Sequence, residues 1–236
     1  MKLSIIIPVL NEAPQLRDTL EPLRALQARG HEVIVVDGGS SDDSATIARE
    51  FTDHVINSAR GRARQMNTGA AAASGDVLLF LHADTRLPEQ ADVVITRALG
   101  NDKISWGRFD VRLSGGHFLL RIVEKLMNWR SRISSIATGD QAIFVRRAVF
   151  AQMGGYPDIP LMEDIALCKL LKQLARPANL PERVVTSSRR WEQRGIVRTI
   201  VLMWRLRLAY ALGTSPQRLA QLYSRNPRCD SPPRVF

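Results

Sequence analysis

The stretch Val77-Leu78-Leu79-Phe80-Leu81-His82-Ala83-Asp84 decides the fold. An unbroken apolar run without polar alternation describes a strand buried on both faces, and such strands belong to parallel sheets covered by helices. Two further runs have the same form: Val33-Ile34-Val35-Val36-Asp37 and Ser4-Ile5-Ile6-Ile7-Pro8-Val9-Leu10-Asn11-Glu12. Each ends in a polar residue. Ligands of parallel sheets bind at the carboxyl ends of the strands, so Asn11, Asp37 and Asp84 are expected on one rim.

Between these runs the pattern is helical. Asn11 can cap a helix reaching about Arg29, with Gly30 as its stop and Pro22 as an interior break. After Asp37, Gly38-Gly39-Ser40-Ser41-Asp42-Asp43 leads into a helix through about Glu50, with Ser41 as the expected cap. A short strand around Val55-Ile56 follows. Gly61 to Gly69 then runs into Ala70 to Ala73, a helix able to pack closely on the sheet. This β-α-β-α-β-α-β order implies right-handed crossovers, and the expected fold is α/β, a three-layer sandwich around a mostly parallel central sheet. Further on, Ile104 to Leu113 and Gln141 to Val145 read as strands, and His117 to Ile133 and Glu163 to about Ala175 as helices. The expected organisation is one α/β domain over residues 1–190, a helical extension over 191–226 on or near it, and a loose tail over 227–236.

The chain has 236 residues, 45% of them hydrophobic, enough for a substantial core. Its two cysteines, Cys168 and Cys229, show no metal-binding or disulfide-framework spacing, which fits a reducing compartment. A net charge of +10 calls for nucleic acid, an anionic membrane surface or phosphorylated substrates as a partner. Met1-Lys2 leads directly into the first strand, so no signal peptide is expected. No uncharged stretch reaches the roughly 18–20 residues of a spanning helix. The expectation is a cytoplasmic protein for which the inner face of the membrane is a candidate surface.

Three acidic positions carry candidate chemistry. Asp84 follows a buried strand near a basic loop, where acid and phosphate would repel unless a divalent cation lay between them. Its alternative reading is a helix cap or a surface acid. Asp37 precedes a Gly-rich turn; it either binds ribose hydroxyls or bonds the backbone of its own turn. Glu163-Asp164 begins a helix, as a cap or as a general base. No G-x-G-x-x-G follows the first strand and no G-x-x-x-x-G-K-[ST] occurs, which argues against a nicotinamide enzyme and a P-loop kinase or ATPase.

Taken together, these elements resemble a family 2 glycosyltransferase of the GT-A type over roughly residues 3–175. The matching pieces are Ile5 to Glu12, Val35 to Asp42, then Gly61, Asn67 and Gly69, and Gly75-Asp76 through Asp84. Gly139-Asp140, Phe144, Arg146-Arg147, Phe150, Gly154-Gly155-Tyr156, Glu163-Asp164 and Leu167 complete them. The resemblance implies transfer of a single sugar from a nucleoside-diphosphate sugar to an acceptor hydroxyl, with inversion and a divalent cation, Mn2+ or Mg2+. Pro8, Asn11, Glu12, Asp37 and Gly38 would form the nucleotide side. Arg64, Asn67, His82, Ala83 and Asp84 would meet the rest of the donor, with Asp84 and His82 at the metal. Asp164, with Glu163 beside it, would be the catalytic base; Gly139, Asp140, Gln141 and Trp191 would face the acceptor.

The chain departs from the family pattern in two places. Where the family has Asp-x-Asp at the metal, the first acid here is His82, which either orients the donor or joins the metal shell. Met66 stands where an arginine often precedes the residue matching Asn67, leaving Arg64 as the expected diphosphate contact. The processive signature Gln-x-x-Arg-Trp is absent. On His117 to Ile133, Arg121, Lys125 and Arg132 share one face while Phe118, Ile122, Leu126 and Trp129 form an apolar stripe. That helix either lies at a membrane interface, bringing the protein to a lipid-linked acceptor, or packs on the core or a dimer partner. Two rival functions are a nucleotidyltransferase, which wants a Gly-rich basic loop that Pro8 to Gln15 lacks, and a basic RNA-binding module, which the acids clustered at the rim would oppose. No nucleic-acid partner is expected.

Overall fold

The computed structural model describes residues 1–224, so the tail expected over 227–236 lies outside the described residues, as does Cys229. Eight strands form one sheet: β1 (Leu3–Val9), β2 (Glu32–Asp37), β3 (Val55–Asn57), β4 (Val77–Phe80), β5 (Thr85–Arg86), β6 (Trp106–Leu113), β7 (Phe144–Arg146) and β8 (Ala178–Thr186), in the order β3-β2-β1-β4-β7-β6-β8-β5. The β3-β2-β1-β4 half is wholly parallel. β7 runs against both β4 and β6, β6 and β8 run parallel, and β5 closes the far edge antiparallel to β8. The sheet is therefore mostly parallel, as expected.

The continuous apolar runs arise because both faces of this sheet are covered. Alternate residues of β1 enter different cores: Ile5 and Ile7 meet Leu16 and Leu20 of α1 (Ala13–Leu20) and Ile95 of α5 (Ala91–Leu99). Ile6, between them, packs with Met66 of α4 (Arg62–Ala72) and Leu167 and Leu171 of α8 (Glu163–Leu174). Cys168 is fully buried in this second core, where burial pushes its thiol up to about 12, leaving an inert apolar group.

Pro22 breaks the first helical segment as expected: α1 ends at Leu20, a 3-10 turn covers Glu21–Leu23, and α2 (Arg24–Ala28) resumes. The two expected caps are not formed. Asn11 sits at φ 54°, and Glu12 occupies the cap position of α1 without a side-chain bond. The Asn11 amide oxygen instead accepts from the Ser41 N–H at 2.8 Å. With Ser41 tied to the β1 loop, α3 (Ser44–Arg49) starts three residues later, preceded by Asp43. The two rim loops exchange the bonds that local capping would have used.

The strand expected over Gln141 to Val145 begins only at Phe144, because Gly139–Gln141 is a 3-10 turn closed by a capping box between Thr138 and Gln141. Sequence patterning passed over β8, whose Pro181 argues against an interior strand. The ladder between β6 and β8 steps from Phe109–Leu180 to Asp110–Arg183, leaving Pro181 and Glu182 at a bulge where a missing N–H costs no ladder bond. Also unread were β5, α5 and α7 (Arg147–Gln152), while α9 (Arg189–Arg194) and α11 (Pro216–Ser224) fall wholly or largely in the segment expected to be helical over 191–226. The long helix α6 (Phe118–Ser134) forms where apolar periodicity placed it, and α10 (Ile196–Ala211) lies in the segment expected to be helical. Among the described residues no helix is long and apolar enough to cross a membrane.

Candidate active site

The carboxyl ends of β1 and β4 open into a cleft of about 450 Å³. Pro8 and Glu12 enter it from β1 and its loop, and His82, Ala83 and Asp84 from the turn after β4. That turn is tightly held. The Thr85 N–H donates to the His82 carbonyl at 3.1 Å, Thr19 Oγ1 donates to the Ala83 carbonyl at 2.7 Å, and the Ser187 N–H donates to the Asp84 carbonyl at 3.1 Å. Pairing of β5 with β8 thus carries Thr186 and Ser187 to the cleft beside Asp84.

Glu163 and Asp164 enter the cleft from the first turn of α8. Met162, just before them, is in the left-handed region at φ 69°, a strained conformation for a side chain of this size. The Asp164 carboxylate accepts from the Gly139 N–H at 2.7 Å and from the Ile165 N–H at 2.9 Å. These two donors hold its orientation. Burial raises the Glu163 pKa, the Asp164 charge raises it further, and Arg62, whose Nη1 lies 4.0 Å away, opposes both. Arg62 itself loses basicity through burial, but the charges of Glu163 and Asp140 more than restore it, and its pKa is raised.

Gly139 joins the two acidic loops. Its N–H holds Asp164, and the His82 ring lies so close to its α-carbon that an added Cβ would collide with Nε2. The other ring nitrogen, Nδ1, lies 3.2 Å from Asp140 Oδ1. One ring nitrogen of His82 therefore faces Gly139 and the other faces Asp140. No group of three or more His, Cys, Asp or Glu among the described residues could hold a metal ion alone. Asp84 lines the cleft and is the residue that could hold a hard cation of the kind that needs only one or two protein carboxylates.

Of the residues singled out from sequence, Pro8, Glu12, His82, Ala83, Asp84, Gly139, Asp140, Glu163, Asp164 and Trp191 line this cleft together. Six others do not. Asp37 accepts from the Gly39 and Ser40 N–H groups and from Ser40 Oγ, closing its own turn. Gly38 packs on the Gln65 amide, and Asn11 is engaged with Ser41. Arg64 pairs with Asp158 at 3.0 Å. Asn67 clasps the Tyr156 backbone, donating to its carbonyl and accepting from its N–H, both at 2.9 Å. Gln141 is fully buried in its capping box.

The structure adds residues that sequence patterning missed. Arg60 and Arg62 flank Gly61 at the start of α4 and line the cleft where Arg64 was expected. Counting helical positions back from the alanines would have placed Gly61 at the helix start and so favoured Arg62. Gln65 also faces the cleft while its amide donates to the Val9 and Val36 carbonyls at 2.8 Å, joining β1 to β2. Arg194, Met203, Arg207 and Tyr223 arrive from α9, α10 and α11, with no local motif to mark them. Burial lowers the Arg207 pKa, against the opposing pull of Asp164 and Asp140.

Solved structures share this architecture. Residues 1–349 of S. aureus TarS align over 80% of this chain and 61% of that one, with a TM-score of 0.66 at 18% identity. The mannosyltransferase PcManGT from Pyrobaculum calidifontis, solved with GDP-Man and Mn2+, aligns over 98% of this chain and 66% of that one, with a TM-score of 0.65 at 21% identity. The fold is the GT-A type of glycosyltransferases. The family model described as Glycosyl transferase family 2 matches residues 4–150, and the chain belongs to that family. Among curated relatives, a probable glycosyltransferase of Bacillus subtilis, YdaM, is 28% identical over 90% of this chain and 55% of its own length. A PGL/p-HBAD biosynthesis glycosyltransferase of Mycobacterium bovis is 32% identical over 65% of this chain and 62% of its own. The chain thus spans little more than half the length of these relatives.

Proposed function

We propose that the protein transfers a single sugar from a nucleoside-diphosphate sugar to an acceptor hydroxyl, with inversion at the anomeric carbon and with a divalent cation. One observation carries this reading: Asp84 and Asp164, far apart in sequence, line one cleft together with Arg60 and Arg62 at the start of α4. A diphosphate suits that place, because a helix start and the guanidinium groups of Arg60 and Arg62 supply positive potential among the carboxylates of the cleft. Bound forms of relatives support it: one TarS structure holds UDP-GlcNAc, and PcManGT holds GDP-Man with Mn2+.

In this reading Pro8 and Glu12 border the nucleotide. Asp164 takes the proton of the acceptor hydroxyl as its oxygen attacks the anomeric carbon; the bond to the diphosphate oxygen breaks, and its electron pair leaves with the diphosphate. The Gly139 and Ile165 N–H groups keep the base aimed. Glu163 and Asp140 hold Arg62 charged at the leaving-group side. Asp84 would hold the divalent cation, which when bound would supply electrostatic stabilisation of the leaving diphosphate.

Thermal unfolding with UDP, GDP, dTDP or CDP, each with and without Mn2+, tests the donor half. A nucleotide at about one hundred times its dissociation constant adds roughly 2.7 kcal/mol, and Asp84→Asn removes the metal-dependent part. Asp164→Asn retains the nucleotide shift and loses transfer. Folded protein that gains stability from none of the four nucleotides refutes the reading.

A further inference from the structure

The outward faces of α6 and α10 expose large apolar side chains on two packed helices. Phe118, Trp129 and Ile133 project from α6, and Val201, Trp204 and Leu208 from α10; Trp129 is 63% and Trp204 68% exposed. Their spacing keeps each set on one side of its helix. The inner sides are already used. Leu120, Val123 and Met127 of α6 pack with Ile196 and Ile200 of α10, while Met203, Leu206 and Arg207 of α10 border the cleft. One helix therefore has one flank in the active site and another on an apolar surface.

Charge decides what can cover that surface. Across both helices the one acid is Glu124, which is buried and paired with Arg121 at 3.0 Å. Lys125, Arg198 and Arg205 are exposed around the apolar face. A second copy docking face to face would set cations against cations. An anionic lipid bilayer meets both demands: its headgroups take the cations, its interfacial zone takes the two tryptophans, and its acyl boundary takes the aliphatic groups.

We infer that the α6–α10 face docks this protein on an anionic lipid bilayer, with the cleft held at the bilayer surface beside α10. The docking is peripheral, since neither helix is long and apolar enough to span.

The test uses the full chain in vesicle sedimentation, with phosphatidylcholine vesicles compared against vesicles containing phosphatidylglycerol. Binding to the anionic vesicles at low salt, its release at high salt and weak binding to phosphatidylcholine alone are expected. Trp204→Glu should abolish sedimentation while leaving the melting temperature and the nucleotide-induced shift intact. The Lys125→Ala/Arg205→Ala double variant should weaken binding by about twenty-five-fold, since each cation near such a surface contributes about a factor of five. The inference is overturned if the folded chain ignores anionic vesicles at low salt. It is also overturned if Trp204→Glu leaves sedimentation unchanged, or if sedimentation velocity shows a dimer that Trp204→Glu dissolves. Retained nucleotide shifts would then mean that donor binding stands and only the docking surface fails.

Discussion

Gly139 has no room for a side chain, and the reason lies in the site chemistry. A methyl group there would strike the His82 ring, while the N–H of the same residue holds the Asp164 carboxylate. Gly139→Ala should cost roughly 1–3 kcal/mol of stability by overpacking and should lower kcat more than it raises the donor KM. Circular-dichroism melting and steady-state kinetics check the two parts. Glu163 supplies a pH signature. Burial and the Asp164 charge raise its folded pKa, so the folded state binds a proton more readily than the unfolded chain. The resulting stabilisation is present below the ordinary glutamate value and is lost as pH rises through the raised one. Glu163→Gln should therefore gain in melting temperature relative to the parent as pH rises from about 4.3, the ordinary glutamate value, towards neutrality. A difference that stays constant with pH would contradict this assignment.

Two elements show how the sheet is tied to its surroundings. Glu32, at the start of β2, is buried and accepts from Ser4 Oγ of β1, from the Ser74 N–H at 2.6 Å and Oγ at 2.9 Å, and from the Gly75 N–H at 3.0 Å. Burial alone would raise its pKa; these bonds outweigh it and hold the carboxyl at about 2. The sign is opposite to that of Glu163: the stabilisation is present above the ordinary value and is lost as pH falls towards about 2. Glu32→Gln should cost about 3 kcal/mol near neutrality and very little near the low end of that window, measured by denaturant unfolding across pH. At Gly69, α4 approaches the sheet so closely that a Cβ would lie 2.5 Å from Ile6 Cγ2 and 2.9 Å from Val36 Cγ2. Gly69→Ala should destabilise by roughly 1–3 kcal/mol and weaken nucleotide binding, because Arg62 and Gln65 ride on the same helix. Thermal melting with and without nucleotide checks it.

At the scale of the molecule, α10 and α11 complete the cleft wall. Leu206 and Leu219 pack with Met162 and Ile165 around the first turn of α8, next to Glu163 and Asp164. Leu206→Ala should cost about 2–5 kcal/mol and, by loosening Met162, reduce turnover beyond its effect on donor affinity. Chemical denaturation and a kcat-against-KM comparison separate those effects.

The sequence alone determined the fold class, because three parallel strands buried on both faces require continuous apolar runs, and it marked Asp84 and Glu163-Asp164 because rim acids follow those runs or open a helix. It also marked the faces of α6, since helical periodicity is local. What it left undecided depended on contacts between distant segments. Arg62 rather than Arg64 reaches the cleft because Asp158 takes Arg64. Asn67 bonds the Tyr156 backbone, and Asp37 accepts from the backbone of its own turn. The His82 ring nitrogens face Asp140 and Gly139, and β8 tolerates Pro181 only because a bulge against β6 receives it. Which partners a polar group meets is a matter of three-dimensional distance. Periodicity and residue type carry the preferences of a segment for its own conformation; only the packed chain decides which of its polar groups face the cleft.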